Sequence, residues 1–238
     1  MHLLICFALK EEAAPFRKIA AGKSGLSILL TGIGRQNAEK SVREFLLINS
    51  SELVLACGFA GGLNPDLKLG DVVFEIFPIS SRGDEAQTEI GNRQSAISNQ
   101  SEPPHVVSYE KLVAAGAKPA KIFCADRIAT TVADKKKLRA ETGADVVEME
   151  SAVIHAVCRE RGIPCATVRV ISDTASEDLP LDFNTLAKPD KSLDFGKLFL
   201  TIAKSPGKIG ALIKLQKKTS FAAKRLADVL IEILYPPR

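Results

Sequence analysis

The chain has 238 residues, of which 46% are hydrophobic and 25% charged, a composition typical of a globular protein with one sizeable core. Aromatic residues make up only 5% and Trp is absent, which argues against a base-stacking platform, so we expect no nucleic-acid partner. The net charge of +4 is uneven: residues 188–238 hold eleven Lys or Arg and four Asp or Glu, so the rest of the chain is net acidic.

In chain order, short apolar runs alternate with segments of helical spacing. Strands are predicted over residues 2–9, 26–34, 52–63, 70–77, 120–129, 143–149 and 164–172. Helices are predicted after the first two strands, and the first of them ends near Gly22. Continuous apolar strands separated by helices are typical of parallel sheets that are covered on both faces. We therefore expect an α/β fold, a three-layer α/β/α domain with a mostly parallel mixed central sheet and additional C-terminal helices.

Two regions depart from this pattern. Residues 78–104 are polar and lack periodicity, which is typical of a lid, a binding loop or a disordered insertion. The tail from about residue 193 has the spacing of two amphipathic helices separated near Pro206 and Gly207. We expect one domain over residues 1–190 and a basic helical extension over 191–238 that packs on it.

Cysteine usage and segment lengths indicate a cytoplasmic protein. The apolar run at residues 2–9 ends in charge and is too short for a signal peptide, and no stretch approaches the roughly 20 apolar residues of a membrane span. The odd number of cysteines, without a CxxC pair, favours reduced thiols over disulfides or a zinc site. These cysteines are Cys6, Cys57, Cys124, Cys158 and Cys165.

Acidic residues and glycines follow several predicted strands. In open α/β sheets, ligands bind outside the carboxyl ends of the strands. Here those ends carry Glu12, the glycine-rich segments 32–34 and 58–62, the acidic segment 148–150, and Asp173. This combination favours a small ligand with several hydroxyl groups over a polyanion.

The segment "VEMESA" places two carboxylates around one methionine within an apolar stretch. If residues 146–150 are extended, Glu148 and Glu150 point to one side of the strand and Met149 to the other. Each carboxylate can accept two hydrogen bonds, as vicinal sugar hydroxyls require. The alternative is that both acids are solvated loop residues paired with Arg169.

Other motifs argue against several cofactors. The segment "TGIGRQN" (31–37) matches only the first two glycines of GxGxxG, so a nicotinamide cofactor is disfavoured. The sequence contains neither GxxxxGK[ST] nor GxSxG, and His155 falls on the apolar face of a predicted helix, where a packing role is favoured. We expect no cofactor and no metal site.

Four ordered motifs resemble the purine nucleoside phosphorylase superfamily: "TGIGRQNAEKS", "GFAGGLNPDLKLGDVV", "VVEMESAVIHAVCRERGIP" and "VRVISD". Within it, the sequence over residues 1–175 is similar to the 5′-methylthioadenosine/S-adenosylhomocysteine nucleosidases. The resemblance implies a nucleoside phosphorylase-like catalytic domain over residues 1–190, a homodimer, and release of adenine from a 5′-modified nucleoside.

The same resemblance implies roles for individual residues. Glu12 falls where the nucleosidases carry the carboxylate that activates water, and Asp173, oriented by Ser172, where they carry the acid that protonates the purine at N7. Glu150 matches the residue that binds the ribose hydroxyls, and Met149 the one packed against the sugar. The other substrate-binding residues that it implies are Glu148, Arg169, Phe59, Ala60 and Ile128.

Two departures concern the substrate. Phe59 replaces the serine of the nucleosidase "GSAGG" motif, and "CADRIA" (124–129) has Ile128 near the position of an aromatic residue that stacks on the base. The segment "CADRIATT" and the tail are similar to hopanoid-associated members of the superfamily, which implies adenosylhopane as an alternative substrate. A basic amphipathic tail can also contact an anionic membrane surface. Packing of two helices on the domain with a solvated lysine face is favoured, and both can hold at once.

The nucleophile is either water or phosphate. The first loop, "KEEAA", has two acids where an anion would have to bind, and no arginine precedes "GFAGG", so hydrolysis is favoured. Lys10 and Arg35 leave phosphorolysis open. A nucleoside-binding protein without catalysis is the alternative from another class, which intact Glu12, Glu150 and Asp173 disfavour.

Overall fold

The computed structural model describes residues 2–77, 107–186 and 206–236. The predicted polar loop at 78–104 and the first of the two predicted tail helices lie outside these ranges. Among the residues it describes, the helices are α1 (Lys10–Ile19), α2 (Arg35–Ile48), α3 (Tyr109–Ala114), α4 (Val132–Thr142), α5 (Ser151–Glu160), α6 (Phe183–Leu186) and α7 (Ile209–Leu234). None of the helices in these ranges is long and apolar enough to cross a membrane.

Eight strands of the described chain form one mixed sheet. They are β1 (Leu3–Phe7), β2 (Leu26–Leu30), β3 (Leu53–Gly62), β4 (Val72–Phe77), β5 (Lys118–Pro119), β6 (Ile122–Cys124), β7 (Val146–Glu148) and β8 (Cys165–Asp173). The order is β2-β1-β3-β8-β4-β5, and β7 pairs with both β3 and β6. Five of the strand pairs are parallel, whereas β4–β8 and β3–β7 are antiparallel. The predicted mostly parallel mixed sheet is therefore confirmed.

Helices cover both faces of the sheet. On one face, α1 and α7 pack on β1, β3, β4 and β8 in the largest core cluster, which includes Phe7, Phe16 and Leu226. On the other face, α2 and α5 pack on β1 and β3 through Val42 and Ile154. Strands covered on both sides carry continuous apolar runs, and all nine residues of β8 are buried. This confirms the predicted three-layer α/β/α architecture.

Helix α7 is buried along its C-terminal half only. Ala222, Leu226, Leu230 and Ile233 recur at helical spacing and lie in the largest core cluster. Burial of each large aliphatic side chain stabilises the folded state by roughly 1.5–3 kcal/mol. The N-terminal half is largely exposed, and it includes the apolar side chain of Ile213, which is 49% exposed.

The backbone around "VEMESA" differs from the prediction. Strand β7 ends at Glu148, and Glu150 is the N-cap of α5 with φ −126° and ψ −31°, so the predicted extended backbone through residue 150 is wrong. The strand pairs with β3 as far as Val147 and with β6 as far as Glu148, and no pairing continues beyond Glu148 in the described sheet. Both carboxylates nevertheless turn to the same side, for the reason described next.

Candidate active site

A buried guanidinium lies at the centre of the site. Arg169, on β8, is 1% exposed, and it is one of the largest fully buried side chains. Its Nη2 atom donates to Glu148 and lies 3.4 Å from Oε2 of Glu150, while Nη1 lies 3.4 Å from the carbonyl oxygen of Cys57. A buried charge is stable only when it is paired. Arg169 therefore draws both carboxylates of "VEMESA" inward. The alternative is wrong in that both acids are buried, although the pairing with Arg169 that it included is present.

Glu148 is held by almost every group around it. One oxygen accepts the backbone N–H groups of Glu150 and Ser151, each at 2.9 Å, and the other accepts the Ser151 hydroxyl at 2.6 Å. Burial alone would raise the pKa of Glu148, but Arg169 and these hydrogen bonds hold it below the ordinary value of 4.5. Because both oxygens of Glu148 already accept hydrogen bonds from the protein, this carboxylate is best suited to orienting Arg169 and the first turn of α5.

Glu150 has fewer partners. Its Oε1 accepts the backbone N–H of Gly34 at 2.9 Å, at the point where the chain enters α2 with a φ of 86° that favours glycine. Burial raises the pKa of Glu150 to about 7; Arg169 opposes this increase and Glu148 adds to it. Two acids two residues apart thus have opposite pKa shifts, and Glu150 keeps hydrogen-bonding capacity for a ligand.

Glu12 approaches the same guanidinium from α1. Its carboxylate accepts the backbone N–H of Phe59 at 2.8 Å and that of Leu9 at 2.9 Å, and burial raises its pKa. A Cβ atom on Gly58 would lie 2.7 Å from Nη1 of Arg169 and 2.8 Å from Oε1 of Glu12. The first glycine of "GFAGG" is therefore required because β3 passes directly beside both groups.

Asp173 lies at the end of β8, beside the other end of "GFAGG". Its Oδ1 accepts the Ser172 hydroxyl at 2.8 Å, and its Oδ2 is 2.6 Å from Nζ of Lys135. A Cβ atom on Gly61 would lie 3.3 Å from Oδ2. The glycines of β3 thus separate two groups of acids, with Glu12 near Gly58 and Asp173 near Gly61.

The other predicted substrate-binding residues have differing environments. Met149 and Ala60 are buried, at 9% and 3% exposure. Phe59 contributes its backbone N–H to Glu12, whereas its half-buried ring packs against the large core cluster. Ile128 is half-buried, and its backbone N–H and carbonyl both pair with the side chain of Asn184 at 2.9 Å.

Lys135 and the backbone N–H of Gly34 were not identified from the sequence. Lys135 is the first of three consecutive lysines in "DKKKLR", which resembles a solvated helix face. Lys135 lies three residues from both Val132 and Leu138, which are half-buried on α4. This helical spacing could have indicated that Lys135 faces the protein interior. His155 contacts the Thr167 hydroxyl at 2.7 Å and is half-buried, in agreement with its predicted packing role.

Three comparisons relate the chain to known proteins. An aminodeoxyfutalosine nucleosidase from Helicobacter pylori strain 26695 is 25% identical over 221 residues, which cover 83% of this chain and 90% of that protein. A 5′-methylthioadenosine/S-adenosylhomocysteine nucleosidase from a Marinomonas species is 31% identical over 173 residues, which cover 68% of this chain and 73% of that protein.

The fold is similar to that of a solved nucleosidase. A 5′-methylthioadenosine/S-adenosylhomocysteine nucleosidase from Colwellia psychrerythraea, solved in complex with adenine, aligns with a TM-score of 0.60 at 18% identity and covers 100% of this chain and 97% of that one. At that identity the likeness shows the fold. The sequence profile of the phosphorylase superfamily matches residues 10–203. Since that range is most of the chain, the chain belongs to the phosphorylase superfamily.

Proposed function

We propose that the protein is a nucleosidase that hydrolyses the N-glycosidic bond of a 5′-modified adenine nucleoside and releases adenine. The observation that carries this proposal is the arrangement of acids along β3, with Glu12 and Arg169 beside Gly58 and Asp173 beside Gly61. A substrate that lies along this short strand segment would have the Glu12 carboxylate beside its sugar and Asp173 beside its base.

Cleavage of an N-glycosidic bond builds positive charge on the sugar while the purine leaves with negative charge. A proton from Asp173 to N7 neutralises the leaving base, and carboxylates near the sugar stabilise the oxocarbenium-like transition state. Ser172 orients Asp173 through the hydrogen bond to Oδ1. Asp173 is 8% exposed and lies beside the backbone of β3 near Gly61, at the end of this segment away from Glu12.

The sugar-binding and water-activating roles are assigned to the two acids whose pKa is raised. Glu150 accepts hydrogen bonds from the ribose hydroxyls, which can strengthen as the ring flattens toward the transition state. Glu12 accepts a proton from the attacking water. Met149, buried between Glu148 and Glu150 in the chain, packs against the sugar.

Charge favours water over phosphate as the nucleophile. Three carboxylates surround one guanidinium, so the site has an excess of negative charge that repels an anion. Arg35 contacts the carbonyl oxygen of Cys124 and lies 3.2 Å from Asp126, so its charge is already compensated. Phosphorolysis is the alternative reaction, and Lys10 is exposed at the start of α1.

The 5′-substituent defines four candidate substrates: methylthioadenosine, S-adenosylhomocysteine, adenosylhopane and aminodeoxyfutalosine. The first two follow from the names of the nucleosidase relatives, and aminodeoxyfutalosine is added by the Helicobacter pylori relative. We propose that Ile128 and Ala60 contribute to the apolar wall near the base. Asn184, which holds the backbone of Ile128, fixes this wall.

We further propose a cytoplasmic homodimer that contacts the inner membrane surface through α7. Residues 206–225 contain six Lys or Arg and no Asp or Glu, with Lys218 paired to Glu177, and Ile209, Ile213 and Phe221 are each about half exposed. Cations around exposed apolar side chains favour an anionic lipid surface.

Co-sedimentation with anionic and neutral vesicles tests this contact, with Ile213→Glu as the disrupting variant. Equal binding to both vesicle types would reject it. Light scattering tests the dimer.

Adenine release is the decisive measurement for the proposed function. The purified protein is incubated with each candidate nucleoside, with and without phosphate, and free adenine is followed by chromatography. We expect adenine and the free 5′-modified ribose in both buffers. A ribose 1-phosphate formed only with phosphate would identify a phosphorylase, and saturable nucleoside binding without adenine would identify a binding protein.

A further inference from the structure

Helix α4 places a fully buried lysine against the proposed general acid. The side chain of Lys135 has 0% exposure, and its Nζ atom lies 2.6 Å from Oδ2 of Asp173. The same atom donates to the carbonyl oxygens of Thr174 at 2.7 Å and Glu177 at 2.9 Å. Two of the N–H donors of the ammonium group have carbonyl acceptors, and the group also forms an ion pair with Asp173. Three oxygen atoms of the protein thus surround the buried Nζ of Lys135.

The segment after β8 is fixed to the first turn of α4 by further hydrogen bonds. The backbone N–H of Val132 donates to Oδ1 of Asp178 at 2.6 Å, and the backbone N–H of Leu179 donates to the carbonyl oxygen of Thr130 at 2.8 Å. These contacts set the distance between α4 and Asp173 independently of Lys135. The backbone of this segment is thus held against α4, and the orientation of the Asp173 carboxyl group depends on its own side-chain contacts.

The two oxygens of Asp173 have different partners. Ser172 donates to Oδ1 and Lys135 contacts Oδ2, so the carboxyl group is prevented from rotating. When Asp173 protonates the purine, its O–H bond breaks, an N7–H bond forms, and a negative charge remains on the carboxylate. That charge develops next to an ammonium group already in place, and such preorganised charges stabilise a transition state most effectively.

We propose that Lys135 is a positioning residue that orients Asp173 and provides the counter-charge for the carboxylate formed when the purine is protonated. This inference rests on the proposed function, because it assigns Lys135 a role only through Asp173. A lysine that only held α4 against the segment after β8 would need only its hydrogen bonds to the carbonyl oxygens of Thr174 and Glu177. The third contact, to the oxygen that Ser172 leaves free, connects the lysine to the acid.

The test is a double-mutant cycle on adenine release with Lys135→Met and Asp173→Asn. We expect Lys135→Met to lower kcat by about 10- to 100-fold, a part of the 10²- to 10⁴-fold that general acid catalysis contributes, with KM within about threefold. In the Asp173→Asn background, the same change is expected to cause no further loss, since residues that act as a unit are not additive. Lys136→Met, at the exposed neighbouring position, is the matched control and keeps the wild-type rate.

The outcomes separate this inference from the proposed function. Wild-type kcat in Lys135→Met, or an equal loss in the Asp173→Asn background, would overturn the role of Lys135 while leaving the nucleosidase intact. If the wild-type protein releases no adenine, the proposed function fails, and the pair is tested by thermal unfolding of the same four variants. We then expect the double variant, which contains no unpaired buried charge, to melt above Lys135→Met; melting temperatures that simply add would overturn the pairing.

Discussion

Glu148 and Glu150 share a single nitrogen atom, Nη2 of Arg169, yet their pKa values shift in opposite directions. Backbone N–H groups and the Ser151 hydroxyl stabilise the charge of Glu148, whereas Glu150 has one backbone donor and a charged neighbour. Pairs of acids separated in this way often have different tasks. We assign the support of Arg169 to Glu148 and the sugar hydroxyls to Glu150.

This assignment predicts the pH dependence of substrate capture. Since the pKa of Glu150 is about 7, its carboxylate is the main form only above that pH, and kcat/KM for adenine release should fall as pH decreases below 7. Glu150→Gln should remove this acidic limb and raise KM by about 10-fold or more, as expected for the loss of a charged hydrogen bond. The measurement is kcat/KM between pH 5 and 9; an acidic limb that persists in Glu150→Gln would assign it to another group.

The close approach of β3 to the charged cluster predicts that Gly58→Ala is harmful. Its methyl group would lie within 2.8 Å of both Arg169 and Glu12, and the φ of 150° at this position disfavours a side chain. We expect a lower melting temperature and a decrease in kcat of about 10-fold or more, because small displacements of catalytic groups are costly.

Gly210→Ala is the control for that substitution. A Cβ at Gly210 meets nothing within 4 Å, and the residue lies inside α7. Because alanine has the higher helix propensity, Gly210→Ala should stabilise the protein by up to about 1 kcal/mol and leave adenine release unchanged. Equal effects of the two substitutions would show that the contacts of Gly58 do not matter.

The sequence was sufficient to predict the layers of the fold because buried parallel strands have continuous apolar runs, as β1, β3 and β8 do. The antiparallel pairing of β4 with β8 was not predictable from either segment, since strand direction depends on connections and not on composition. In the site, Glu150 and Glu12 stood out as acids at strand ends. Lys135 did not, because its charge is compensated by groups 38 to 42 residues away in the chain, which local sequence patterns do not reveal.

Glu12 and its neighbour Glu11 allow a matched test of the water-activating role. Glu12 is 3% exposed and bound to β3, whereas Glu11 is exposed on the same turn of α1. Glu12→Gln should lower kcat by about 10²- to 10⁴-fold, the range of general base catalysis, while Glu11→Gln keeps the wild-type rate. Steady-state adenine release measures both, and a Glu12→Gln variant with wild-type kcat would exclude Glu12 as the base.

The stability of the fold should decrease as pH rises through neutrality, in part because of Glu75. This residue lies on β4 opposite Thr167, and burial raises its pKa to about 7; Glu148 adds to the increase, while the backbone N–H of Ile122 and the charge of Lys121 oppose it. The folded state therefore retains a proton that the unfolded chain loses near its ordinary pKa of 4.5. The resulting stabilisation is complete below pH 4.5 and is lost as pH rises through 7.

Glu75→Gln removes this titration while keeping a similar shape and an oxygen that can accept from Ile122. We expect the two proteins to melt at similar temperatures at pH 5 and the variant to melt higher at pH 8. The difference should correspond to about 1 kcal/mol after screening by nearby solvent, or about 2–4 °C for a chain of this length. The pKa values of Glu12 and Glu150 are also raised, so the variant keeps a reduced pH dependence. A melting-temperature difference that stays constant from pH 5 to 8 would show that Glu75 does not titrate in this range.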